Sequence, residues 1–169
     1  MRDMAFLGGD RKLVAWSAVF VVSQVNILRI LGPVGSKLLR TQTAPSARVY
    51  TGVLDGMDAG EIVRYRSHFY PDFVHPAIYA TALRVGVRRL DELAPLSPTA
   101  RRVLLAAPIV SAAGDYIENV AGLYLLDHRD RIGDGVIRAT TAVSTTKWLL
   151  GLGTFAYLAR GFVRVWARR

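Results

Sequence analysis

The chain has no cysteine. That excludes a disulfide, a thiol nucleophile and a cysteine-ligated zinc site, while leaving the redox compartment open. It carries no N-x-S/T sequon, no phosphate-cradling glycine loop, no dinucleotide fingerprint and no Ser-His-Asp order. The Gly8–Gly9 and Gly133–Gly135 clusters read as turn material. "DHRDRIGDG" is rich in Asp but lacks the EF-hand spacing and its closing Glu, so it reads as a solvated loop and not a calcium site. No internal repeat or low-complexity tract is evident. Nothing in this inventory calls for a cofactor.

What is present is apolar and basic. Hydrophobic residues make up 51% of 169 residues, above the soluble average, and the length suits one domain, residues 1–169. The net charge is +9, yet the basic residues cluster at the ends of apolar stretches and form no single patch. That is the membrane pattern, and it argues against a nucleic-acid partner.

Four runs approach the roughly 20 residues that a spanning helix needs. They are Leu13–Val34, His68–Val87, Val103–Leu126 and Ala139–Leu158. The expected fold is all-α: an integral membrane four-helix bundle. The first run follows Arg11 and Lys12 but is too long for a signal-peptide core and has no small-x-small cleavage site close behind it, so it is expected to be retained. Arg84, Arg88, Arg89, Arg101 and Arg102 flank the second turn, and Arg160 and Arg164 follow the fourth run. This bias puts both termini in the cytoplasm of a multi-pass cell-membrane protein. The long first loop then lies outside. "TQTAPSARVYTG" reads as irregular, whereas Asp58 and Glu61 are spaced as a capping box. They predict a short extracytoplasmic helix from about Ala59, between the first and second spans.

Ionisable groups interrupt the runs. Asp115, Glu118, Asn119 and Gly122 follow i, i+3, i+4, i+7 and share one helix face. Thr140, Ser144, Lys147 and Gly151 form a stripe on the fourth run, and His68, Asp72, His75 and Tyr79 one on the second. Glu118, Lys147 and His75 each lie about seven or eight residues from the outer end of their span, at about 1.5 Å per residue. Gln24 and Asn26 reach the middle or outer half of the bilayer on the first run. The simplest inference is an ion pair of Lys147 with Glu118 or Asp115, with the second carboxylate left to carry a proton. Glu118, Asp115, Lys147 and His75 are the candidate acid–base residues. Asn119, Tyr79, Asn26, Gln24, Asp72, Ser144 and Trp148 are the candidate ligand contacts. Zinc or iron on His68, Asp72 and His75 is an alternative, but the spacing matches no established motif and Pro76 strains the helix there, so no metal is expected.

"YPDFVHPAIY" followed by "DYIEN" resembles a group of small four-span membrane proteins of bacteria and plants, which carry D-F-x-x-P and D-x-x-E-N segments. The resemblance implies architecture and little chemistry. A looser likeness is to emopamil-binding, sterol-isomerase-type membrane proteins, which hold acidic residues in an apolar cavity for proton shuffling on a lipid; it transfers no residue roles. Three functions follow as expectations. One is an acid–base enzyme or binding protein for an apolar lipid or isoprenoid, with membrane lipid as its surroundings. The second is a proton-coupled transporter or channel subunit, which at this size would work as a homo-oligomer. The third is a structural or assembly subunit.

Overall fold

The computed structural model describes residues 2–167, and side chains from Gly9 onward. Its helices are α1 (Arg2–Leu31), α2 (Gly35–Gln42), α3 (Ala47–Asp55), α4 (Ala59–Asp72), α5 (His75–Leu93), α6 (Pro98–Asp127) and α7 (Asp134–Trp166). Short 3₁₀ turns at Gly32–Val34 and Arg129–Arg131 complete the order, and no strand occurs among the described residues. Helix α5 packs against α1, α6 and α7, and α6 against α7. Helices α2, α3 and α4 cover one end of this bundle.

The first run ends as a helix at Leu31, three residues earlier than expected. Gly32 adopts φ +50, a conformation L side chains avoid, and Pro33 follows it. Together they turn the chain out of α1 and into α2. Gly8 and Gly9 lie inside α1, not in a turn. A Cβ at Gly9 would come within 3.1 Å of the Arg89 side chain, so the small residue lets α5 approach closely. Arg89, only 3% exposed at its side chain, bridges Asp10 of α1 and Glu92 of α5 at 2.8 and 2.9 Å.

The segment expected to be irregular contains α3. Ser46 caps it by accepting from the Val49 N–H, and Tyr50, Val53 and Leu54 bury one face by their i, i+3, i+4 spacing. Helix α4 begins where the capping box put it. The Asp58 carboxylate accepts from the Glu61 N–H at 2.8 Å, and the Glu61 carboxylate accepts from the Asp58 N–H at 3.0 Å. Lys37 donates to Glu61 at 2.5 Å and holds that carboxyl below its usual range. Asp58→Ala is expected to lower stability by about 1 kcal/mol, the usual worth of an N-cap, read as a shifted unfolding midpoint. An unchanged midpoint would mean that α4 is held by packing alone.

The second run is not one helix. Helix α4 stops at Asp72, Phe73 and Val74 form a turn, and α5 starts at His75 with Pro76 in its first turn. Pro is tolerated there because its missing N–H would be unpaired anyway. His68 and Asp72 therefore lie on α4, and His75 and Tyr79 on α5.

Two apolar clusters flank a polar layer. Val34, Tyr50, Leu54, Tyr65, Phe69, Leu125 and Ile137 form the one under α2–α4. Val87, Leu90, Leu104, Leu158 and Phe162 form the other, toward the α5–α6 turn. Two helical stretches, Gly9–Gln42 and Pro98–Asp127, are long and apolar enough to cross a membrane. The other two expected spans, on α5 and α7, are not among them. Arg84, Arg88 and Arg89 interrupt α5, and Lys147 amid Ser and Thr lowers the hydropathy of α7.

Candidate functional site

Helices α6 and α7 come close because their facing residues are small. A Cβ at Gly114 would lie 3.1 Å from Lys147 Cβ, and one at Gly151 would lie 3.1 Å from Ser111 Oγ. Between these contacts the Lys147 side chain, 6% exposed, reaches two acids of α6, Asp115 and Glu118. Its Nζ donates to Asp115 Oδ1 and lies 2.9 Å from Glu118 Oε2. The expectation was one partner; the ammonium bridges two. Asp115 and Glu118 are one turn apart on the same face, so a single Nζ opposite them meets both.

Each acid has further donors. Ser144 Oγ donates to Glu118 Oε2 at 2.8 Å, and Gln42 Nε2 of α2 donates to Glu118 Oε1. Trp148 Nε1 donates to Gln42 Oε1 at 3.2 Å, which holds that amide in place. Tyr79 OH of α5 donates to Asp115 Oδ2 at 2.6 Å. Its oxygen also lies 3.0 Å from Ser111 Oγ, which in turn donates to the Lys147 carbonyl at 2.8 Å.

Of the remaining candidates some adjoin this triad and others do not. Asn119 Nδ2 donates to the Asp72 carbonyl at 2.8 Å, tying α6 to the end of α4. His75 does not reach the acids. Its Nδ1 pairs with Ser23 Oγ of α1 at 2.9 Å, and its ring stacks on Phe20 at 5.7 Å. It touches the site only by packing on the Tyr79 ring at 5.6 Å. His68 is buried, with Nδ1 against the Tyr65 carbonyl. Gln24 is half-buried and Asn26 exposed, and neither bonds to the cluster. Helix α1 turns Ser23 and Ile27 toward the bundle instead, a face one residue away from the expected one. Among the described residues no group of three or more His, Cys, Asp or Glu could hold a metal ion. The face proposed for a metal is divided between α4 and α5.

Gln42, Ser111 and Ser23 were not foreseen. Ser111 had a signal, since it precedes Asp115 by one turn on the same stripe. Gln42 had none, because α2 is only eight residues long and its meeting with Glu118 is set by tertiary packing.

Beyond Glu118 lies a cavity of about 20 Å³, enough for one water. Thr41, Gln42, Tyr50, Tyr65 and Thr140 help line it. Thr41 Oγ1 and Tyr65 OH are 3.0 Å apart there. The arrangement thus has hydroxyls on both sides of the acids: Tyr79 and Ser111 by Asp115, and the α2–α4 hydroxyls by Glu118.

No known protein family, curated protein or solved structure matches the chain.

Proposed function

We propose that the chain is a multi-pass membrane protein whose Asp115–Glu118–Lys147 triad binds and releases a proton, as part of a proton-coupled carrier or channel. Helices α1, α5, α6 and α7 cross the bilayer in this reading, with both termini cytoplasmic. What supports it is the apolar surface. Val14, Val22, Val103, Ile117, Val120, Leu149, Leu152, Phe155 and Val163 all stand exposed on three of these helices. So much exposed aliphatic surface suits lipid and not water. Helix α5 is the inner helix, packed on the other three, so it needs less apolar surface. Its 19 residues reach about 28 Å at 1.5 Å each. The Lys/Arg excess around the α5–α6 turn favours the cytoplasmic side for that turn.

One observation carries the proton reading: the site is one proton short by two independent counts. Two carboxylates face one ammonium, which leaves a net negative charge in a dry interior. Meanwhile Tyr79 and Ser111 have two hydroxyl protons for three contacts, to Asp115, to each other and to the Lys147 carbonyl. One proton taken up by the cluster would balance both counts, neutralising the triad and supplying the third hydrogen for the contacts among Asp115, Tyr79, Ser111 and the Lys147 carbonyl. The water-sized cavity favours proton traffic over a lipid substrate, because an isoprenoid does not fit in it.

Liposomes containing the purified chain and a trapped pH-sensitive dye test this. A proton flux under an imposed potential is expected, falling about tenfold or more in Glu118→Gln, in line with the loss of a positioned proton-transfer group. Tyr79→Phe, which cuts the hydroxyl chain but leaves the acids, is expected to slow it too. Flux that is absent in every lipid tried, or indifferent to Glu118, refutes the relay. If Glu118→Gln alters only stability, the triad is helix glue and the structural reading stands.

A further inference from the structure

We infer that the groove between α5 and α6 receives a membrane-spanning helix of a partner protein, one that carries an Asp or Glu near its middle to pair with Arg84. The inference rests on the membrane reading above but not on the proton site. Arg84 is the middle residue of the 19 in α5 (His75–Leu93). At 1.5 Å per residue it lies about 14 Å from either end of a helix that crosses the bilayer. Arginines near a helix end extend to the headgroups; one at the centre does not reach them. Such a cation needs a counter-charge inside the membrane. Arg84 makes no salt bridge among the described residues, and its Nε is buried without a hydrogen-bond partner. The residue is half-buried, and its guanidinium is accessible from the groove it lines.

The groove is open and holds about 310 Å³. Ala77, Thr81 and Arg84 of α5 follow i, i+4, i+7, and Ile109, Ala113 and Tyr116 of α6 do the same, so each set shares one face. With α5 entering the bilayer at His75, the groove runs from Arg84 at the centre to Ala77 near the outer surface, about 10 Å away. Alanines on both walls keep the side chains short, which lets another helix approach closely. Charge decides which helix. A second copy of this chain has no acid to offer at that depth. Asp115 and Glu118 are held by Lys147 in the interior, and Asp10 by Arg89. The other acids lie at the ends of the spans or outside them. A lipid headgroup is excluded by depth. The carboxylate therefore comes from a different chain, on a helix whose midpoint is level with Arg84. A guanidinium is always charged and takes a carboxylate in a bidentate fork, a strong pairing that also fixes the register of the two helices.

The test uses the full chain in phosphatidylcholine liposomes, with synthetic helical peptides as probes. Each peptide is a Leu/Ala helix of about 20 residues with a central Asp or a central Asn. Energy transfer from a dye on the chain to one on the peptide reads binding. The wild type is expected to bind the Asp peptide about tenfold more tightly than the Asn peptide, the lower end of the scale for a close, desolvated charge pair. Arg84→Gln is expected to abolish that preference with helicity unchanged, since no internal ion pair is lost. Arg84→Glu should reverse it, taking a central-Lys peptide over the Asp one. Ala113→Leu adds an exposed side chain in the groove and should weaken binding of both peptides. Equal binding of the Asp and Asn peptides by the wild type, or a preference that survives Arg84→Gln, overturns the inference while leaving the membrane reading intact. Self-association that Arg84→Gln abolishes makes a second copy the occupant and overturns it too. A chain that stays in solution without detergent and does not sediment with vesicles overturns both.

Discussion

Lys147→Met is expected to destabilise the protein by about 3–5 kcal/mol, the usual penalty for removing one partner of a buried ion cluster. The side chain is 6% exposed and its ammonium is shared between Asp115 and Glu118. Methionine keeps the apolar stem and the packing of its Cβ against Gly114, so what is lost is the ammonium. Two acids then face each other one turn apart, with only Ser144, Gln42 and Tyr79 donating to them. Hydrogen bonds of that kind do not replace a cation in a medium of low dielectric. The informative control is the neutral triple variant, Asp115→Asn with Glu118→Gln and Lys147→Met. It removes the charges together and should recover most of the loss, because an ion cluster is worth much less than the penalty of breaking it. Unfolding by denaturing detergent in mixed micelles, followed by helical circular dichroism, reads both variants. If Lys147→Met stays within about 1 kcal/mol of wild type, the triad is not a closed electrostatic unit.

The two halves of the site differ in how far the sequence announced them. Asp115, Glu118 and Lys147 were legible because each sits on a long regular helix, where spacing sets the face and distance from the helix end sets the depth. Such reasoning needs only the 3.6-residue period, and it brought together side chains 32 residues apart. It failed where the chain leaves that period. His68 to Val87 is the weakest of the four runs, carrying Asp72, two His and two Pro, and the turn at Phe73–Val74 divides it and sends His68 and Asp72 onto α4. Pro71 and Pro76 on either side were the local marks of that break. The α2 and α3 helices were hidden for another reason. They are eight and nine residues long, too short to declare themselves without tertiary contacts. Gln42 bonds to Glu118 across 76 residues of chain, and no local pattern encodes that meeting. For α1 the pattern was present but ambiguous. Its residues are apolar on nearly every side, so rotation about the axis is set by what α5 presents, and Ser23, not Gln24 or Asn26, meets His75.

Gly122→Ala is expected to destabilise the protein by about 1–3 kcal/mol, the range for overfilling a packed interior. Gly122 follows Glu118 by one turn on α6 and faces α4. A Cβ there would lie 2.5 Å from Phe69 Cζ and 2.7 Å from its Cε1. The Phe69 ring has little room to retreat. It is 2% exposed and is packed edge-on against Tyr65 at 5.5 Å and against His68 at 4.1 Å. The extra methyl must therefore push α4 away from α6. That movement strains the Asn119 bond to the Asp72 carbonyl and the Thr41–Tyr65 contact beside the cavity. The substitution is thus expected to disturb the lining of the Glu118 cavity without touching a charged group. A double-mutant cycle isolates the clash. Phe69→Ala alone opens a cavity and should cost about 3–5 kcal/mol. With the ring gone, the alanine methyl at position 122 has space to occupy, so the double variant should be more stable than the sum of the single losses. Additive losses across the cycle would show that the glycine is not there to admit Phe69. They would leave the α4–α6 approach to the Asn119 bond alone.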